Sequence, residues 1–188
     1  MRATKSRILA IIAALAVAAS AANGAPAASN DRGLGEQQIA QKVRKELVTL
    51  PYYGVFDNLA YKVEGSTVTL YGQVVQPITR KDAERRVARI QGVERVVNNI
   101  EVLPLSSFDD SIRLRTYRTL FNAGGLYRYA MGANPSLHII VKGGNVTLEG
   151  VVANEGDSRL AYIMARSVPG VFSVTNNLRV EQEGKRAY

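Results

Sequence analysis

The 188-residue sequence offers little conventional catalytic chemistry. It contains no cysteine, and so no disulfide, thiolate nucleophile or Cys-ligated zinc. Its single histidine, His138, lies between Leu137 and Ile139 in an alternating apolar run. A general base needs a partner to orient it and a proton within reach. No second histidine or nearby carboxylate accompanies His138, which is therefore expected to be structural or at the surface. The acids Asp109, Asp110, Glu155 and Asp157 fall at predicted helix starts, where carboxylates complement the macrodipole. The run Lys142-Gly143-Gly144-Asn145 resembles a phosphate loop in composition. Such a loop must feed a helix N-terminus, whereas this one joins two strand patterns and reads as a tight hairpin turn. No catalytic residue, metal site or cofactor is expected, and the chain is read as a non-enzyme.

Surface chemistry remains. In "EGDSRLAYIMARSV", Ala161 and Ala165 mark an inward face, and Ile163 falls nearly opposite Ala161 with Arg159 and Arg166 one turn to either side. Arg159, Leu160, Tyr162, Ile163, Met164 and Arg166 thus form an apolar patch rimmed by arginine. Such a patch suits shallow seating among anionic headgroups, a protein partner, or packing against the rest of the chain. A secondary basic face carries Lys81, Arg85, Arg86 and Arg89. The pairs Tyr52-Tyr53 and Tyr127/Tyr129 occupy corresponding loops, where they are expected to cover the ends of the cores.

The elements that must position these residues come in two copies. "STVTLYG" (66–72) returns as "GNVTLEG" (144–150), and "GVERVVNNIEV" (92–102) returns as "GVFSVTNNLRV" (170–180), both at an offset of 78 residues. The same offset carries Ala83 and Val87 onto Ala161 and Ala165. A fixed offset over separate features marks an internal duplication. In the first copy, Ile39, Val43 and Leu47 recur at helical spacing and predict a helix over 36–50. Strands follow at 59–63 and 68–71, then a helix capped by Thr79 and stopped by Gly92, then a strand over 93–102. The second copy predicts helix 111–122, strands 137–141 and 146–151, helix 155–168 and strand 171–180. A longer loop follows its first helix. The two Asn pairs fall in the last strands, where asparagine is a poor strand former; they either bond a neighbouring loop or mark a bulge.

The first residues read as an export signal. Arg2, Lys5 and Arg7 precede the apolar run 8–19, and small residues follow, so cleavage is expected after Gly24 or Ala27. The alternative is an uncleaved anchor, although the run is short of the about 20 residues a span needs. Loss of three cations would lower the formal charge from +8 to +5, too mild for a nucleic-acid binder. The expected organisation is signal peptide 1–24, linker 25–35, first domain 36–103, second domain 109–181 and tail 182–188.

The segments "VEGSTVTLYGQV" and "AERRVARIQGVERVVNNIEV", with partners "VKGGNVTLEGVV" and "LAYIMARSVPGVFSVTNNLRV", resemble the BON domain, twice over. The resemblance implies an α+β fold of two tandem BON domains, each αββαβ with two helices on a three-stranded mixed sheet. It implies no catalysis, and a link to envelope integrity, osmotic stress and phospholipid. Without a lipidated cysteine, the chain resembles the dual-BON periplasmic proteins of the OsmY (osmotically inducible) type. The expected function is therefore envelope maintenance in the periplasm, on an anionic phospholipid surface or with envelope proteins as partner. The alternative is a protein–protein adaptor docked on a secretion or cell-wall assembly without lipid contact. The ligand, the inducing stress and the oligomeric state have no signature in the sequence.

Overall fold

The computed structural model describes residues 28–122, 125–132 and 134–181, with side chains from residue 35. The expected signal peptide and the tail 182–188 lie outside the described residues. Each half forms a three-stranded sheet: β1 (Asn58–Glu64), β2 (Thr67–Val74) and β3 (Arg95–Val102) in the first, β4 (Leu137–Lys142), β5 (Asn145–Val152) and β6 (Ser173–Val180) in the second. In both, the outer strand of a hairpin pairs antiparallel with the central strand, which pairs parallel with the last. The helices α1 (Ala28–Val48) and α2 (Pro77–Val87) cover the first sheet. The helices α3 (Ser107–Asn122) and α4 (Glu155–Arg166) cover the second. This is the expected α+β fold in two similar halves.

The patterning explains the layers. Val68, Leu70 and Val74 of β2, and Val146, Leu148 and Val152 of β5, point inward at every second position. Ile39, Val43 and Leu47 of α1 meet them with Ala83 and Val87 of α2. Ile112 and Leu120 of α3, with Ala161 and Ala165 of α4, do the same in the second half. Alanine on the second helix of each half lets its backbone lie close to the sheet.

Several local expectations are corrected. Helix α1 starts at Ala28, inside the segment expected to be a linker, and α3 starts at Ser107 rather than 111. Thr79 does not cap α2. Gln76 stands at the cap position without a side-chain cap bond, Pro77 occupies the first turn, and Thr79 is buried. Proline's fixed φ suits the first turn, which moves the helix start upstream. Gly92 and Gly170 do not end their helices directly. The helices finish at Val87 and Arg166, and the glycines (φ 96° and 91°) turn the chain only at 92 and 170, before strands that begin at Arg95 and Ser173. A 3-10 turn, Leu126–Tyr129, forms in the segment read as loop.

The Asn pairs mark no bulge, since the registers of β2 with β3 and β5 with β6 run unbroken. Asn98 Nδ2 donates to Arg80 O (3.2 Å) and Glu84 Oε2 (2.9 Å), while its Oδ1 accepts from Ile100 N (3.1 Å). Asn176 repeats this with Ser158 O (3.2 Å), Ser158 Oγ (3.0 Å) and Leu178 N (3.2 Å). In both halves the first asparagine ties the last strand to the second helix.

Candidate functional site

Helix α4 is built to hold its position. Asn154 caps it, its side chain accepting from Asp157 N at 2.8 Å. Asp157 also accepts from the Tyr129 hydroxyl and from Arg128. These bonds, that of Tyr129 foremost, hold its carboxyl below the usual range. Tyr129 in turn accepts from Ala153 N at 2.9 Å. Of the loop tyrosines, Tyr129 is buried and Tyr53 packs on the first core, whereas Tyr52 and Tyr127 are exposed.

The face opposite Ala161 is open. Ile163 is 58% exposed and Leu160 37%, between exposed Arg159 and Arg166. The alternative in which Ile163 is packed against the first half is therefore not the arrangement seen. Arg166 lies over the Tyr162 ring at 5.7 Å, an exposed cation–π contact. Arg159 makes no side-chain bond to any described residue. Met164 differs from the rest of the group, being half-buried against the second core. It belongs to the fold more than to the surface. On α2, Lys81 is exposed, Arg85 pairs with Asp82 at 2.6 Å, and Arg86 reaches Glu46 Oε2 at 3.4 Å; Arg89, two residues past the helix end, is exposed. The secondary basic face is thus two open cations and two partly committed ones.

His138 is buried at the junction of the halves. Gly54 O can only accept, so Nδ1–H donates to it (3.2 Å), and Nε2 accepts from the Tyr53 hydroxyl (3.4 Å). Beside it, Ile139 N donates to Val55 O (2.8 Å), and Val55 and Phe56 pack against the second core. Burial pushes the His138 pKa below its ordinary value and that of Tyr53 up to about 12. Both neutral forms are favoured, as a structural contact requires. Among the described residues no group of three or more His, Asp or Glu could hold a metal, and no helix is long and apolar enough to cross a membrane.

One feature escaped the sequence reading. Phe172, 74% exposed, lies against Phe108 with ring centroids 5.9 Å apart, over the turn at Gly144. The offset of 78 places Glu94 at the equivalent position of the first half, where it accepts from the Ser66 hydroxyl at 2.8 Å. A glutamate-to-phenylalanine difference between otherwise matching copies was the available signal.

The BON domain family model matches residues 35–104 and 127–182. The chain belongs to the BON-domain family. Its second match begins after α3, yet α3 packs on the second sheet and completes that half of the BON pair. BON domains are generally non-catalytic, and membership points to an envelope-related or phospholipid-binding role. No curated protein sequence matches. Among solved structures, one similar chain is the C-terminal domain of CdsD, the structural protein of the Type III secretion system of Chlamydia trachomatis. It is 12% identical over 76% of this chain and 96% of that one, at a TM-score of 0.27. A second CdsD structure from the same organism is 12% identical over 78% and 95%, at 0.28. Likeness this slight carries no argument.

Proposed function

We propose that this BON protein is exported to the periplasm, where it acts without catalysis in envelope maintenance under stress by associating with anionic phospholipid surfaces through α4. The observation that supports this most is the open face of α4, with Ile163 and Leu160 uncovered beside Arg159. Shallow burial of such a face among acyl chains, with guanidinium groups at the phosphates, stabilises an interfacial helix. Co-sedimentation with vesicles tests it. Binding to phosphatidylglycerol-containing vesicles that weakens with salt supports the reading, and equal binding to neutral vesicles, or none to either, contradicts it. The export step has its own test: mass spectrometry of the periplasmic fraction should find a chain beginning at Ala25 or Ala28, and an intact Met1 on membrane-bound protein would count against it.

A second reading, the adaptor, is favoured by the exposed Phe108–Phe172 pair. Aromatic side chains at the centre of a patch are typical anchors for a protein partner. Loss of a captured envelope protein on Phe172→Ser, with vesicle binding absent throughout, would support it over the lipid reading.

A further inference from the structure

The first half carries a groove beside the end of its second helix. It lies between α1 and α2, encloses about 430 Å³ and is lined by Lys42, Glu46, Arg86, Arg89, Ile90 and Gln91. That volume falls within the roughly 300–1,000 Å³ range of small-ligand sites. Three of the six lining residues are cations and one is an anion. Glu46 faces Arg86 across 3.4 Å, and Thr49 Oγ1 stands at the same distance from the same guanidinium nitrogen, Nη1. These long contacts orient Arg86 while leaving its other donors free. The side chains of Lys42 and Arg89 have no hydrogen bond or ion pair to any described residue. Two unneutralised charges therefore face a groove whose only carboxylate is engaged.

The duplication shows that the fold does not require this charge. At the offset of 78, Arg86 corresponds to Met164, Arg89 to Ser167 and Gln91 to Pro169, while the core position Ile90 corresponds to Val168. The same approach to the core is thus built in the second half without cations at these positions. We propose that the α1–α2 groove binds a phosphate-type oxyanion, a phosphomonoester or phosphodiester. Arg86 is the oriented donor, Lys42 of α1 and Arg89, just past the end of α2, close on the ligand from either side, and Ile90 supplies an apolar wall for its substituent. Guanidinium groups match the oxygens of such an anion with parallel donors. This site is separate from the α4 face and does not depend on the lipid reading. Its ligand can come from a membrane headgroup or from a soluble phosphate.

The test is amide NMR of the full exported chain titrated with inorganic phosphate, with sodium chloride at matched ionic strength, and with phosphatidylglycerol vesicles. Shifts in the amides of residue 42 and residues 86–91 with inorganic phosphate but not chloride support the site with a soluble ligand. The same perturbation with vesicles alone supports it with a headgroup as the source. Lys42→Gln with Arg89→Gln should weaken the response at least about tenfold, the loss of roughly one charge-assisted hydrogen bond. Both side chains are exposed and unpaired, so the melting temperature should not move. No perturbation at these amides, an equal one with chloride, or one that survives both substitutions overturns the proposal. Phosphate binding here by a protein that ignores vesicles would leave this site standing and remove the lipid reading.

Discussion

Two kinds of residue show how the duplication works atom by atom. Gly72 and Gly150 take φ of 117° and 119°, and a Cβ on either would stand 1.9 Å from Asn58 O or 2.1 Å from Ser136 O. Both the backbone conformation and the close approach of the neighbouring strand demand glycine. Gly150→Ala should cost about 3 kcal/mol or more in urea denaturation, or prevent folding. Asparagine makes a subtler case. Asn176 bonds helix α4, whereas Asn177 reaches only Glu149 on the adjacent strand at 2.7 Å, exposed to water. Asn176→Ala should therefore cost about 1–2 kcal/mol, and Asn177→Ala within about 0.5 kcal/mol. Equal losses would show that the strand-to-helix tie contributes nothing. The repeat of the Asn pair was plain in the sequence. Its partners were not, because Arg80 and Ser158 approach only once a helix has docked on the sheet.

At the level of elements, the helices and strands follow from periodicity, and the misread boundaries come from local competition. Pro77 set the start of α2 ahead of Thr79, and the chain takes four further residues to reach Gly92. The junction between the halves was not legible at all. It depends on the 54–56 segment, which has no pattern of its own, accepting at Val55 O from the Ile139 amide at the edge of β4 and burying His138 beneath Tyr53. That burial makes the junction pH-sensitive. The His138 pKa is lowered in the folded chain from 6.5, so the unfolded chain takes up the proton first. The stabilisation is complete above about pH 6.5 and is lost as the pH falls below it. The groups facing His138 are Tyr53, which stays neutral, Glu149 on β5, and Asp57 nearby, whose carboxyl is raised mainly by burial. Protonation of Asp57 acts in the opposite sense, at lower pH. Denaturation midpoints should fall between pH 7.5 and 5.5, hydrogen exchange should quicken first at the Ile139 amide, and His138→Gln should flatten that pH dependence. A midpoint that is level across this range in the wild-type chain would contradict the buried neutral imidazole.

For the whole molecule, the two BON halves share a scaffold and diverge in what they present to solvent. Where α2 carries Asp82, Glu84, Arg85 and Arg86, α4 carries Leu160, Tyr162, Ile163 and Met164. The sequence offset made this contrast visible, but it could not separate Ile163, which faces water, from Met164, which helps close the core. Replacing both would confuse unfolding with loss of binding, so Ile163 alone is the clean probe. The deciding measurement is co-sedimentation of wild-type protein and Ile163→Glu with phosphatidylglycerol vesicles, with the melting temperature of each recorded alongside. The lipid reading predicts that the variant loses at least about tenfold in vesicle affinity, since an apolar anchor is removed and a like charge is set against the headgroups, while its melting temperature stays within about 2 °C. Unchanged vesicle binding by a folded Ile163→Glu protein would contradict it.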